Sequence, residues 1–205
     1  KTDGKAYTAL AVILATGAEH RSLGVTGEKE LQGKGVSYCA TCDGPFFRNK
    51  HIVVVGGGDA ACDEALFLAN LTDPVTMVHR RDTFRAQKAL VTRTLNSPHI
   101  TAVFDTTVKE IKGPDKVTAV VLQNVKTKEE RELACDAVFF FVGMNPKTEL
   151  FPDASKDATG YIITDEDMRT SIEGLYAAGD VRAKSFRQVV TAVADGAIAA
   201  HTAAA

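Results

Sequence analysis

The chain has 205 residues, of which 24 are basic and 26 are acidic, and 45% are apolar. This balance gives no basic surface for nucleic acid or an anionic membrane, and the apolar content excludes a disordered chain. The longest apolar run, residues 134–142, is too short to cross a bilayer and contains Asp136, and no secretory signal opens the sequence. We therefore expect one or two cytoplasmic globular domains.

In chain order, the first feature is an apolar run over residues 8–15 that ends in Thr16-Gly17. Such a run predicts a strand that is buried on both faces. Residues 21–34 are rich in glycine and charge and predict a loop, where we expect a domain boundary.

A strand–turn–helix–strand pattern follows, with about thirty residues, the length of one βαβ unit. The predicted elements are a strand over 51–55, a glycine turn over 56–58, a helix over 59–71 that stops at Asp73-Pro74, and a strand over 75–79. A helix over 83–95 and a strand over 99–104 continue the alternation.

The second half begins with alternating apolar and charged residues over 106–133, which predict an antiparallel hairpin or meander with one solvated face. The further predicted elements are a buried strand over 136–142, a short strand over 161–164, a strand with a turn over 175–180, and a helix over 186–200. We expect this helix to have an apolar face formed by Val189, Val190, Val193, Ala197 and Ile198.

The pair Cys39 and Cys42 has a spacing that brings two sulfurs within disulfide range. A zinc site is the main alternative, but no second Cys-x-x-Cys or His-x-His follows, and we predict no metal. Cys62 and Cys135 lie in helix and strand patterns and are expected to be small core residues. Asp43, next to the dithiol, is either a turn cap or the acid/base that exchanges a proton with a released thiol.

A dinucleotide-binding fingerprint lies just downstream of the dithiol. Gly56, Gly58 and Ala61 fit Gly-x-Gly-x-x-Ala between a predicted strand and a predicted helix, so a pyrophosphate is expected at the helix start, at Asp59 and Ala60. The end of the next strand carries His79, Arg80 and Arg81, with Arg85 one turn later, where an NAD site would have an acidic residue. Guanidinium groups suit a 2′-phosphate, so the predicted ligand is NADPH. A solvated basic face is the alternative.

Together these stretches resemble the low-molecular-weight thioredoxin reductases. The matching segments, in the family's order, are Ala15-Thr16-Gly17, Cys39-Ala40-Thr41-Cys42-Asp43-Gly44, Gly56-Gly57-Gly58-Asp59-Ala60-Ala61, His79-Arg80-Arg81-Asp82-Thr83-Phe84-Arg85, Gly143, Ala178-Gly179-Asp180-Val181 and Arg187-Gln188-Val189.

The resemblance implies an α/β fold of two Rossmann-like dinucleotide-binding domains, and a homodimer. Electrons are expected to pass from NADPH to FAD, to the Cys39–Cys42 pair and on to thioredoxin. Cys39 would attack the partner disulfide, Cys42 would face the flavin, and Asp43 would be the acid/base. The residues expected at the two cofactors are Thr16, Gly17, Gly143, Gly179, Asp180, Arg187, Gln188 and Val189, beside the NADPH residues given above.

The family also implies an NADPH domain inserted into an FAD domain. We expect FAD-domain segments at 1–24 and 147–205 and the insert at 25–146. The family's N-terminal strand–Gly-x-Gly-x-x-Gly–helix has no counterpart before Thr16, so we expect an incomplete FAD domain that retains little FAD.

Two alternatives stay open. One is the reductase component of a peroxiredoxin system, which has a similar dithiol and similar domains. The other, for the 205 residues alone, is a non-catalytic NADPH-binding module.

Overall fold

The computed structural model describes residues 4–72 and 74–205, so Asp73 of the predicted helix stop lies outside the described residues. The strands are β1 (Val12–Leu14), β2 (Ala18–His20), β3 (Val36–Ser37), β4 (Ile52–Gly56), β5 (Val75–Val78), β6 (Ile100–Val103), β7 (Thr106–Lys112), β8 (Ala119–Asn124), β9 (Glu130–Ala134), β10 (Ala137–Phe141), β11 (Met144–Pro146) and β12 (Leu175–Ala177). The α-helices are α1 (Ala40–Asp43), α2 (Asp59–Ala69), α3 (Lys88–Leu95) and α4 (Val189–Ala204).

The chain divides into two compact units. The outer unit comprises the residues up to Glu19 together with Met144–Ala205, and the inner unit is His20–Gly143. The chain therefore passes between units at 19/20 and at 143/144, whereas the predicted insert ran from 25 to 146. That the inner unit is an NADPH domain and the outer one part of an FAD domain stays a prediction.

The inner unit is built on a parallel sheet with the strand order β3-β10-β4-β5-β6. Alternate residues of its strands point to opposite faces, and both faces are buried. Val54, Met77 and Phe139 lie in a cluster with apolar residues of α2, whereas Val53 and Phe140 lie in a second cluster with residues of β7 and β8. The result is three layers, with helices on one face of the sheet and a second sheet on the other.

That second sheet is the antiparallel meander expected from residues 106–133. Its order is β7-β8-β9, and its register shifts between Val108 and Glu110. Its buried face joins the core of the unit, and charged pairs such as Lys109 with Glu130 lie on its exposed face. The predicted meander is confirmed, as is the α/β class with parallel strands.

The outer unit contains a parallel pair, β1 with β12, a second pair, β2 with β11, and helix α4. The prediction that residues 8–15 form a strand buried on both faces is wrong. Only residues 12–14 are extended, and Val12 and Ile13 are 43% and 40% exposed. The physical reason is that, among the described residues, β1 pairs with β12 alone and packs inward through Leu14.

The apolar face expected for the last helix is not the face that the helix buries. α4 leaves Val189, Val190 and Val193 exposed and instead buries Asp195, Ala199 and Thr202. The inward face is chosen by charge, because Asp195 accepts bonds from cationic side chains of the preceding loop.

Two other predicted elements are longer than the elements observed. The helix expected over 83–95 begins only at Lys88, because the preceding residues form a loop held against the glycine turn. Residues 161–164 contain a single bridge residue, Ile162, rather than a strand. Over the part of the chain that the structure describes, no helix combines the length and apolar character needed to cross a membrane.

Candidate functional site

The dithiol lies in the inner unit, directly after β3. Cys39 is the N-cap of the one-turn helix α1, and it forms a disulfide with Cys42 across a Cα–Cα distance of 5.3 Å. The Cys42 N–H points at the Cys39 sulfur, with an N–Sγ distance of 3.2 Å. Since a backbone N–H favours negative charge on sulfur, this contact favours the thiolate at Cys39 once the disulfide is reduced.

Asp43 does not act as a side-chain cap. It stands at the N-cap position of the short 3-10 helix Gly44–Phe47, but its carboxylate makes no capping bond there. The carboxylate instead accepts a hydrogen bond from the Ser37 hydroxyl at 2.6 Å. Ser37 was not among the predicted site residues, and no spacing motif in the sequence marks it.

The segment that leads into the dithiol is anchored by a buried carboxylate. Glu28 accepts the Tyr38 hydroxyl at 2.8 Å and the backbone N–H groups of Leu23, Gly24 and Val25. Burial and the bond to Glu28 raise the pKa of Tyr38, so its hydroxyl remains a donor. The bond to Glu28 therefore fixes the position of Tyr38, the residue that precedes Cys39.

The glycine turn follows β4 as predicted. A Cβ on Gly56 would lie 2.5 Å from the Phe141 carbonyl oxygen and 2.7 Å from the Ala61 Cβ, so both positions require small residues. A Cβ on Gly57 would lie 2.3 Å from Nδ1 of His79. Around Gly58, by contrast, a Cβ would meet no atom within 4 Å, which leaves its backbone open to a ligand at the start of α2.

His79 directly follows β5, and its ring lies against Gly57 of this turn. It is buried, its ring packs against Phe84 at a centroid distance of 5.7 Å, and its Nε2 has no hydrogen-bond partner. Burial and the nearby cations Arg85, Arg80 and Arg81 lower its pKa, so the ring is neutral near pH 7. We infer that His79 supports the turn by packing, while the cations themselves are exposed.

Two hydrogen bonds hold the loop that carries Arg85 against the glycine turn. The Arg85 N–H donates to the Gly57 carbonyl at 2.6 Å, and the Gln87 N–H donates to the Asp59 carboxylate at 2.7 Å. Asp59 is therefore engaged within the protein, and Ala60 lies exposed beside it on the first turn of α2.

The ends of neighbouring strands bring these parts to one edge of the sheet. Gly56 pairs with Phe141 at the end of β10, and Gly143, with a φ of 109°, follows two residues later. Ligands of open parallel sheets bind at this carboxyl edge. The glycine turn and the segment that starts at His79 thus leave the carboxyl ends of neighbouring strands, β4 and β5.

In the outer unit, the parallel pair β1 and β12 brings two other predicted segments together. Leu14 pairs with Ala177, so Thr16-Gly17 and Gly179-Asp180 leave neighbouring strand ends. Gln188 is the N-cap of α4 in a capping box with Thr191, and Val189 is the first helical residue, 80% exposed.

Among the described residues of the outer unit, two polar atoms are buried without a hydrogen-bond partner. One is Oδ1 of Asp180, which lies 3.6 Å from the Lys184 ammonium. The other is Nε of Arg187, whose guanidinium lies 3.8 Å from the ring centre of Tyr161. Buried polar atoms without a partner are rare in native proteins, so each of these two atoms needs an explanation.

A buried ionic cluster that the sequence analysis missed lies beside them. Asp195 accepts bonds from Arg182 and Lys184 at 3.0 Å each and from the Gly179 N–H at 3.1 Å. Burial raises the pKa of Asp195, but the bond from Lys184, the charge of Arg182 and the Gly179 N–H outweigh it, so the net shift is downward. An acidic residue in the middle of an otherwise apolar helix was the available signal.

The remaining cysteines are not part of either site. Cys62 and Cys135 are free and buried, as predicted, and burial together with the charge of Asp136 raises the pKa of Cys135 to about 12. Within residues 4–72 and 74–205, no three His, Cys, Asp or Glu side chains are arranged to hold a metal ion.

The model of the pyridine nucleotide-disulphide oxidoreductase family matches residues 1–196. The chain belongs to this family. Its fold is accordingly the FAD/NAD(P)-binding type, and the resemblance to thioredoxin reductases is confirmed by the relatives that follow.

A thioredoxin reductase of Treponema pallidum is 69% identical over 97% of this chain, and one of Bacillus subtilis is 48% identical over 98%. A crystal structure of the thioredoxin reductase from Streptococcus pyogenes superposes with a TM-score of 0.86 at 50% identity, over 100% of this chain and 67% of that one. The chain spans 65% of the length of the two curated relatives.

Proposed function

We propose that the chain is part of an NADPH-dependent flavoprotein disulfide reductase that passes electrons from NADPH through FAD and the Cys39–Cys42 pair to thioredoxin. The observation that carries this proposal is the inner unit, which holds the Cys39–Cys42 disulfide and a glycine turn to which the loop carrying the exposed Arg80, Arg81 and Arg85 is bonded through the Arg85 N–H. Substrate and partner follow from the relatives, which are thioredoxin reductases.

The inner unit fits NADPH. The space around Gly58 admits a pyrophosphate at the start of α2, where backbone N–H groups are free to donate. Arg80 and Arg81 would hold the 2′-phosphate from the end of β5, and Arg85 would do so from the loop clamped to Gly57.

The outer unit contains polar atoms that fit FAD. The unpartnered Oδ1 of Asp180 is an acceptor for a ribityl hydroxyl, and the unpartnered Nε of Arg187 is a donor. Thr16, Gly17 and Gly179 would lie along the same ligand, and Gln188 and Val189 would lie at its ring. When bound, FAD supplies a two-electron carrier between the nicotinamide and the disulfide.

The dithiol performs the exchange with thioredoxin. The Cys39 thiolate attacks one sulfur of the thioredoxin disulfide, which forms a mixed disulfide and releases the other sulfur as a thiolate. Asp43 takes the proton of Cys42, whose thiolate then attacks the Cys39 sulfur, restores the Cys39–Cys42 disulfide and releases the second thioredoxin sulfur. Asp43 returns the proton of Cys42 to one released sulfur and water protonates the other, because Cys39 reacts as the thiolate, so two electrons and two protons reach thioredoxin.

We also propose a cytoplasmic homodimer. The relatives named above are thioredoxin reductases, so a reductase of a peroxiredoxin system is not favoured. For these 205 residues taken alone, a non-catalytic NADPH-binding module stays a prediction.

Cofactor selectivity tests this function. Replacing Arg80 and Arg81 by Ala should weaken NADPH binding by about 1.5–3 kcal/mol for each lost charge-assisted bond and leave NADH binding unchanged. Calorimetric titration of this chain with both nucleotides measures the effect, with Arg131→Ala on exposed β9 as the control. An NADPH preference that survives the double substitution would contradict the assignment.

A further inference from the structure

Ser37 links the two groups on which the dithiol chemistry depends. It is the last residue of β3 and is only 4% exposed. Its hydroxyl oxygen lies 2.6 Å from Oδ2 of Asp43 and 3.1 Å from the backbone nitrogen of Cys39. One buried side chain thus contacts both the carboxylate after Cys42 and the backbone of Cys39.

The direction of these bonds follows from donor counting. An ionised carboxylate can only accept, so the single hydroxyl proton of Ser37 goes to Asp43, and a lone pair accepts the Cys39 N–H. The Cys39 carbonyl, 3.4 Å from the same hydroxyl, is the longer alternative, and it already accepts the Asp43 N–H at 3.1 Å. The bond to a charged carboxylate is the stronger one.

We propose that Ser37 is a positioning residue of the redox turn, which holds the Asp43 carboxylate in the orientation needed for proton exchange with the dithiol. The proposal rests on the acid/base role proposed for Asp43. Ser37 itself touches no reacting sulfur in the proposed step and acts only through Asp43.

The fold offers separate anchors for the backbone in this region. Ser37 pairs with Phe139 in the parallel sheet, and Tyr38 is tied to Glu28. The N-terminus of α1 is capped by the Cys39 sulfur rather than by Ser37. Removing the hydroxyl should therefore leave the turn folded while it frees the Asp43 carboxylate to change its orientation.

A double-mutant cycle tests the proposal on the pre-reduced chain, with Ser37→Ala, Asp43→Asn and the combined variant. The rate of disulfide exchange is measured with 5,5′-dithiobis(2-nitrobenzoate) and, separately, with oxidised thioredoxin. The thioredoxin reaction is followed by the tryptophan fluorescence of thioredoxin, because this chain has no Trp. Thr106→Val is the matched control, since it removes another buried hydroxyl of the inner unit.

We expect Ser37→Ala to slow exchange about tenfold, Asp43→Asn to slow it at least as much, and the combined variant to be no slower than Asp43→Asn alone. Ser37→Thr should restore most of the rate, because it retains the hydroxyl. Thr106→Val should leave the rate unchanged.

Additive losses in the cycle, or a rate unchanged by Ser37→Ala, would overturn the role of Ser37. A rate unchanged by Asp43→Asn would overturn it as well, together with the acid/base assignment. Exchange with the small disulfide but not with thioredoxin would contradict the proposed function, and the cycle with the small disulfide would still decide the proposal for Ser37.

Discussion

Strands β10 and β1 come from apolar runs that are hard to tell apart in the sequence, yet they end in different environments. β10 pairs with β3 and β4, and residues 137–140 are buried. In the part of the chain that the structure describes, β1 pairs only with β12, and two of its three residues are exposed. An apolar run therefore predicts a strand, but it does not predict whether both faces of that strand are buried. Burial depends on how many strands pair with it and on which layers of the same unit pack against it.

The largest expected contrast is in stability. Phe139→Ala in β10 should destabilise the inner unit by about 3–5 kcal/mol, because it leaves a cavity between the sheet and α2. Ile13→Ala in β1 should cost less than about 1 kcal/mol, because that side chain already contacts solvent. Hydrogen exchange resolved along the chain measures both, since it reports on each unit separately. Equal losses of stability in the two variants would contradict this contrast between β10 and β1.

The stability of the outer unit should depend on a buried ionic cluster instead. Asp195→Ala leaves Arg182 and Lys184 buried without their shared carboxylate, and we expect a loss of about 3 kcal/mol, measured by urea unfolding. Asp167→Ala is the control, because its pair with Arg169 is exposed and should contribute less than about 1 kcal/mol. A similar midpoint for both variants would show that the buried cluster is not stabilising.

The same cluster predicts a pH dependence. The pKa of Asp195 is lower in the folded state than its usual value, so its contribution to stability is complete above the unfolded-state pKa of about 3.9 and is lost as the pH falls below it. Between pH 5 and 2, the outer unit of the native chain should lose stability more steeply than that of Asp195→Asn. Parallel pH profiles would contradict this assignment.

A smaller contrast is expected between alanine substitutions at the adjacent residues Gly57 and Gly58. Gly57→Ala places a methyl group against the buried His79 ring and should destabilise the inner unit by about 2 kcal/mol. Gly58→Ala meets open space, so it should keep the stability and weaken NADPH binding instead. Thermal unfolding with and without NADPH separates the two effects. If Gly58→Ala left the NADPH affinity unchanged, the pyrophosphate could not bind at Gly58 as proposed.

Much of the inner unit follows from local sequence patterns. The βαβ unit, the meander and the Cys39–Cys42 turn have spacings and periodicities that depend on near neighbours in the chain, and the structure agrees with each. Gly56 and Ala61 were recognisable because close packing of strand and helix requires small residues at those two positions.

Local sequence patterns could not predict contacts between residues that belong to different motifs. The bond from Ser37 to Asp43 depends on how β3 enters the redox turn, and the packing of His79 on Gly57 depends on two strands lying side by side. The buried face of α4 could not be read from its apolar stripe, which begins at Val189, because the buried face carries Asp195 and its ionic bonds to Arg182 and Lys184.

The central claim is that Cys39 is the thiol that attacks thioredoxin. Its most direct test is to react Cys42→Ser and Cys39→Ser, each in this chain, with thioredoxin activated by 5-thio-2-nitrobenzoate. Cys62 and Cys135 are buried and stay unchanged in both variants. Simple exposure favours the other cysteine, because Cys42 is exposed and Cys39 is half-buried. We predict that Cys42→Ser accumulates the mixed disulfide through Cys39 and that Cys39→Ser does so at least about tenfold more slowly, because the Cys42 N–H favours the Cys39 thiolate. Faster trapping through Cys42 than through Cys39 would contradict the claim.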